Sequence, residues 1–102
     1  MFRIVLTCDG VPKNLGAQAA SDIAAEFTHR PWHMNVECHW DGQRITFRAD
    51  NEFDSNGEAL ADEFSDAVVA CTPNVGVSIA KVSVVKLDDM PPNKSLERTR
   101  DR

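Results

Sequence analysis

The segment around Asp41-Gly42 constrains the fold of this chain more than any other. Upstream, Met34, Val36, Cys38 and Trp40 share one parity, and His33, Asn35, Glu37 and His39 share the other. Downstream, Ile45, Phe47 and Ala49 alternate with Arg44, Thr46 and Arg48. Period two on both sides of an Asp-Gly pair predicts a β-hairpin with one dry and one wet face. With Asp41-Gly42 as the two-residue turn, Trp40 faces Gln43, Cys38 faces Ile45, Val36 faces Phe47 and Met34 faces Ala49. The wet face then pairs His39 with Arg44, Glu37 with Thr46 and Asn35 with Arg48. A slip by one residue would set dry against wet, so the faces are strongly specified.

The remaining elements follow from the same kind of pattern. Phe2, Ile4, Leu6 and Cys8 alternate with Arg3, Val5 and Thr7, which predicts a strand over 2–8. Leu15, Ala19, Ile23 and Phe27 form a helical stripe over 15–30, stopped by Pro31. Ser55-Asn56-Gly57-Glu58 has the form of a capping box. Behind it Leu60, Phe64, Ala67, Val68 and Cys71 make a second helical stripe, which Pro73 closes. Residues 76–89 are β-branched, but Val77 and Ile79 differ in parity from Val82 and Val84. A bulge or turn near Ala80-Lys81 would reconcile the two phases.

Strand, helix, strand, strand, helix, strand resembles the ferredoxin-like α+β fold. That resemblance implies a four-stranded antiparallel sheet in the order 4-1-3-2, with both helices on one face. Residues 1–89 are then a single domain, and 90–102 a flexible tail with no apolar periodicity. Within the tail, PPNKSLERTR (91–100) resembles the peptide made when an integron gene cassette is translated into its recombination site. This implies a bacterial accessory protein carried on a mobile cassette, and says nothing about the domain's activity.

Charge excludes one broad class of function. Residues 1–90 hold fourteen acids against seven Lys and Arg. A polyphosphate chain meets a repulsive field there, so no nucleic acid is expected as a partner. The chain has no apolar run long enough to span a bilayer, and the apolar stretch before Asp9 is too short for a signal peptide. Cys8, Cys38 and Cys71 form no CxxC pair, consistent with reduced thiols in a cytoplasmic protein.

HRPWHMNVECHW (29–40) invites a metal reading, but strand geometry opposes it. His33 and Glu37 would lie about 13 Å apart at ~3.3 Å per residue. One zinc ion with bonds of about 2.1 Å does not reach both. A calcium-loop pattern also runs through Glu52, Asp54, Asn56, Gly57 and Glu63. It departs from the pattern at Glu52, where aspartate is usual, at Ala59, and in following a strand. The capping box accounts for Ser55 and Glu58 without an ion, so neither metal nor cofactor is implied.

The polar open face leaves two functional readings. Arg3 and Arg48, with Asn35 and Thr46 nearby, could grip a small anionic ligand. The favoured reading is a binding or interaction module that self-associates as a homodimer, through the 33–40 edge or the open face. The alternative is a small dimeric α+β-barrel enzyme using His39, Glu37 and Arg48. Deleting 91–102 should leave the melting temperature within about two degrees; a larger drop in a thermal scan would show that the tail docks.

Overall fold

The computed structural model describes residues 1–72 and 76–87. The tail, with its cassette-like sequence, and Pro73 lie outside the described residues. The elements are β1 (Phe2–Asp9), α1 (Gly16–Phe27), β2 (Met34–Trp40), β3 (Ile45–Asn51), α2 (Glu58–Cys71) and β4 (Ser78–Lys86). All strand pairs are antiparallel in the order β2-β3-β1-β4, the ferredoxin-like arrangement.

The core lies between sheet and helices. Ile4, Leu6 and Cys8 from β1 and Ile45, Phe47 and Ala49 from β3 meet Ile23, Phe27, Leu60, Phe64 and Val68. Phe47 is central, stacked on Phe64 at 4.9 Å and tilted against Phe27 at 4.5 Å. Trp40 closes one corner by lying against Gly16, where an added Cβ would sit 2.2 Å from the indole. The helix can start beneath that ring only with glycine at this position.

The hairpin forms with its faces matched, but its register differs from the expectation. Trp40 pairs with Ile45, His39 with Thr46, Cys38 with Phe47 and Glu37 with Arg48. The turn residues are therefore Gly42-Gln43, one step further along. Gly42 has φ 98°, and Asp41 Oδ1 accepts the N–H groups of Gln43 and Arg44 at 2.8 and 2.9 Å. Moving the turn by one residue moves every pairing by two, so each side chain keeps its face.

That pairing ends at a bulge. Met34 pairs with Asp50, leaving Asn35 and Val36 together opposite one residue, and Asn35 takes φ 54°. Asparagine is among the few non-glycine residues that tolerate this left-handed region. The bulge resets the alternation, so Met34 does not meet Ala49 in the core and is 38% exposed. It also removes His33 from the open face. His33 is buried, its ring among Phe27, Trp32 and Phe53.

Three further boundaries differ. Helix α1 ends at Phe27 rather than Arg30, because residues 28–30 tighten into turns bonded three residues back. In β4, Leu6 pairs with Lys81 and Val5 with Ser83. Val82 is therefore the extra residue, just beyond the expected irregularity, and it is 59% exposed. Finally, Ser55 does not cap α2. Asp54 does so from one step earlier, accepting from Ala59 N and Leu60 N at 3.2 and 2.8 Å. Gly57 occupies the helix entrance at φ 77°, pressed against Val84 and Ile4.

The cap assignment is testable. Asp54→Ala strips a buried acceptor from two helix N–H groups and should cost about 1–3 kcal/mol in urea denaturation. Ser55→Ala should stay within about 0.5 kcal/mol. The reverse order would restore Ser55 as the cap.

Candidate functional site

Among the described residues, the open face of the sheet carries three arginine–carboxylate pairs. Arg3 on β1 donates from Nε and Nη2 to the two oxygens of Asp50 on β3, both at 2.9 Å. Asn35 adds its amide at 2.8 Å. Arg48 meets its hairpin partner Glu37 at 2.9 Å, and Arg44 meets Asp9 at 3.0 Å. The first pair is the most sheltered: Asp50 is fully buried, and the Arg3 side chain is 34% exposed.

These contacts set the electrostatics. Burial alone would push the Asp50 carboxyl up. The forked bond from Arg3, the Asn35 amide and the nearby Arg48 outweigh it and hold the group below its usual range. Arg3 moves up in turn, chiefly through its bond to Asp50. Burial raises all three thiols, with Cys38 pushed up to about 12, so none is poised as a thiolate nucleophile.

The anion-binding candidates are thus brought close together, but with their charges already paired. Arg3 and Arg48 lie on adjacent strands, two residues out of line, since Arg48 is opposite Val5. Thr46 stands between Thr7 and His39 in the same face. The Nε of Arg48 is buried and finds no acceptor among the described residues. Of the enzyme candidates, Glu37 and Arg48 bind each other, and no hydrogen bond joins His39 to either among the described residues.

The calcium candidates are largely committed elsewhere. Both Asp54 oxygens accept helix N–H groups, and Asn56 Oδ1 accepts Glu58 N at 3.0 Å. Glu63 Oε1 takes Arg30 at 3.0 Å and His33 at 3.2 Å. Glu52 is exposed beside this turn. No group of three His, Cys, Asp or Glu among the described residues is arranged to hold a metal ion. Millimolar Ca²⁺ should therefore leave the melting curve in place; a rise that Glu63→Gln removes would reinstate the loop.

A second polar assembly escaped the sequence reading. Asn51 donates to His33 Nδ1 at 3.3 Å, while its Oδ1 accepts Phe53 N and Asp54 N at 3.2 and 2.9 Å. Through Glu63, His33 connects to Arg30. The signal available was Asp50-Asn51 itself, two polar residues ending an otherwise apolar and alternating strand. A groove of about 330 Å³ opens nearby, between the C-terminal half of α1 and the start of β2. Ala24, Phe27, Thr28 and Val36 line it, so it lies on the helix side and not beneath the open face.

The two sheet edges differ in a way that bears on partners. Asp41 N–H bonds to Arg44 C=O at 3.2 Å. By antiparallel alternation His39 and Glu37 also turn their backbone groups toward β3. Cys38 and Trp40 therefore turn theirs outward, away from the sheet. On the other edge, the Val82 bulge breaks the row. Lys81, on the helix side there, bonds the Asn56 carbonyl at 2.6 Å.

No protein-family model and no curated protein matches this chain. Among solved structures it is similar to the crystal structure of acylphosphatase from Bacillus subtilis, at 17% identity and TM-score 0.48. The match covers 99% of this chain and 97% of that one. At that level nothing of the other protein's activity transfers here.

The Arg3–Asp50 pair gives a pH prediction. A folded-state carboxyl held below its unfolded value adds stability that is full above about pH 4 and is lost as pH falls through the lowered value. Asp50→Asn should cost about 2–3 kcal/mol at pH 7. That is below the range for wholly buried pairs, since Arg3 is partly solvated. The variant's stability should also fall less steeply between pH 4 and pH 2. Parallel curves for the two proteins would refute this assignment.

Proposed function

We propose that the domain is a binding and interaction module that self-associates along β2. The asymmetry of the sheet edges supports this most directly. The β2 edge offers outward backbone groups at Cys38 and Trp40, and it carries neither a proline nor an inward charge from Val36 to Trp40. The β4 edge carries two devices that discourage strand addition, a bulge at Val82 and an inward lysine at Lys81. A chain that blocks one edge along its middle, and on the other keeps a regular stretch up to Trp40 beyond its bulge at Asn35 and Val36, is suited to joining through that stretch.

Charge pairing on the open face supports the same reading over anion capture. Arg3, Arg44 and Arg48 each have a carboxylate already in contact, so a ligand anion would have to displace one. Anion binding keeps one specific observation in its favour, the unpartnered Nε of Arg48. For the barrel-enzyme alternative, a ligand-sized cavity under the open face would have been the supporting feature. The groove lies on the other side. The tail's likeness to a translated cassette site adds the proposal that the gene is mobile, and none of its helices among the described residues is long and apolar enough to cross a membrane.

Light scattering from micromolar to millimolar concentration tests the module reading. The expected result is a monomer that converts to a dimer across that range. A monomer throughout, together with a saturable melting shift from a small carboxylate or phosphate, would favour anion binding instead.

A further inference from the structure

We propose that two copies join β2 to β2 in antiparallel register with Cys38 opposite its own copy, making one eight-stranded sheet. This rests on the self-association reading above and specifies its geometry. The two-fold axis runs perpendicular to the sheet, so both helical layers stay on the same side.

Backbone alternation restricts the registers first. Cys38 and Trp40 present outward N–H and C=O groups, and Glu37 and His39 do not. Any register that sets Cys38 against Glu37 or His39 opposes an outward pair to an inward one. It would also place the dry face of one copy beside the wet face of the other. Only axes through a residue and its own copy remain.

Axes at Val36 or Trp40 keep almost none of the regular edge paired, and charge then selects among the three between them. An axis at Glu37 sets two carboxylates directly opposite each other. An axis at His39 sets Glu37 against Asp41 of the second copy, twice. The axis at Cys38 sets Glu37 against His39 of the second copy and His39 against its Glu37, two complementary contacts on the wet face. The same axis brings Val36 opposite Trp40 of the second copy on the dry face. Val36 lines the groove beside α1 together with Ala24, Phe27 and Thr28, an apolar wall against which the neighbouring indole can lie.

The bulge at Asn35 and Val36 limits the pairing to Val36–Trp40. So short a seam belongs with small, transient interfaces, with a Kd roughly in the micromolar range or weaker.

Sedimentation equilibrium on the wild type, His39→Glu and His39→Glu/Glu37→Gln tests the register. His39→Glu places glutamate against Glu37 twice and should weaken the dimer by about tenfold or more. Adding Glu37→Gln removes both like-charge contacts and should recover most of that loss. Melting curves taken on dilute protein confirm that each variant is folded. A wild type that stays monomeric at millimolar concentration overturns self-association and the register with it. A wild-type dimer that His39→Glu leaves unchanged, or that Glu37→Gln fails to rescue, overturns the register and leaves self-association standing.

Discussion

Asp50 and Asn51, the last two residues of β3, hold this structure together in both directions. Consecutive strand residues point to opposite faces, so one dipeptide reaches both layers. Asp50 turns to the open face, where Arg3 and Asn35 satisfy it. Asn51 turns to the helix side and anchors His33 and the turn into α2. Both side chains are fully buried, so each needs its partners in place, and an unmet partner would cost more than the bond contributes when made. The bulge at Asn35 fits this requirement, since it is the Asn35 amide that reaches the second Asp50 oxygen.

This arrangement shapes what the surface can do. The bulge ends the regular part of β2 at Val36, and the clasp of Asp41 ends it at Trp40. Between them lies a short edge whose outward backbone groups face no neighbouring strand among the described residues. The open face beside it is polar and internally neutralised, offering few unmet charges to a soluble ligand. The self-association proposed above uses this edge, with the second copy supplying a strand rather than an anion.

Element order and most of the wet and dry faces were legible in the sequence, because both are written in side-chain periodicity, while the strand order came from the resemblance of that element order to the ferredoxin-like fold. The hairpin shows the limit of that signal. Parity constrains which face a residue takes, but it is unchanged when a turn moves from Asp41-Gly42 to Gly42-Gln43, so the register went astray by two. The cap of α2 was misplaced for a related reason. Ser55 matched a local pattern, whereas Asp54 caps from further back because Gly57 lets the chain turn sharply. His33 was put on the wrong face because a bulge at a non-glycine residue leaves no mark in an alternating pattern. Arg3 and Arg48 were rightly placed on one face, and their carboxylate partners Asp50 and Glu37 share it by parity. The Glu37–Arg48 pair, however, depended on the missed hairpin register, and the Arg3–Asp50 pair on the β1–β3 register, which side-chain parity does not fix.

Amide hydrogen exchange at Cys38 and Trp40, followed as protein concentration rises, tests the account most directly. Their N–H groups point away from β3, whereas those of Glu37 and His39 are bonded within the hairpin. Exchange at Cys38 and Trp40 should slow markedly as the protein is concentrated, while Glu37 and His39 stay protected throughout. Rates at Cys38 and Trp40 that do not change with concentration would contradict the claim that β2 is the joining edge.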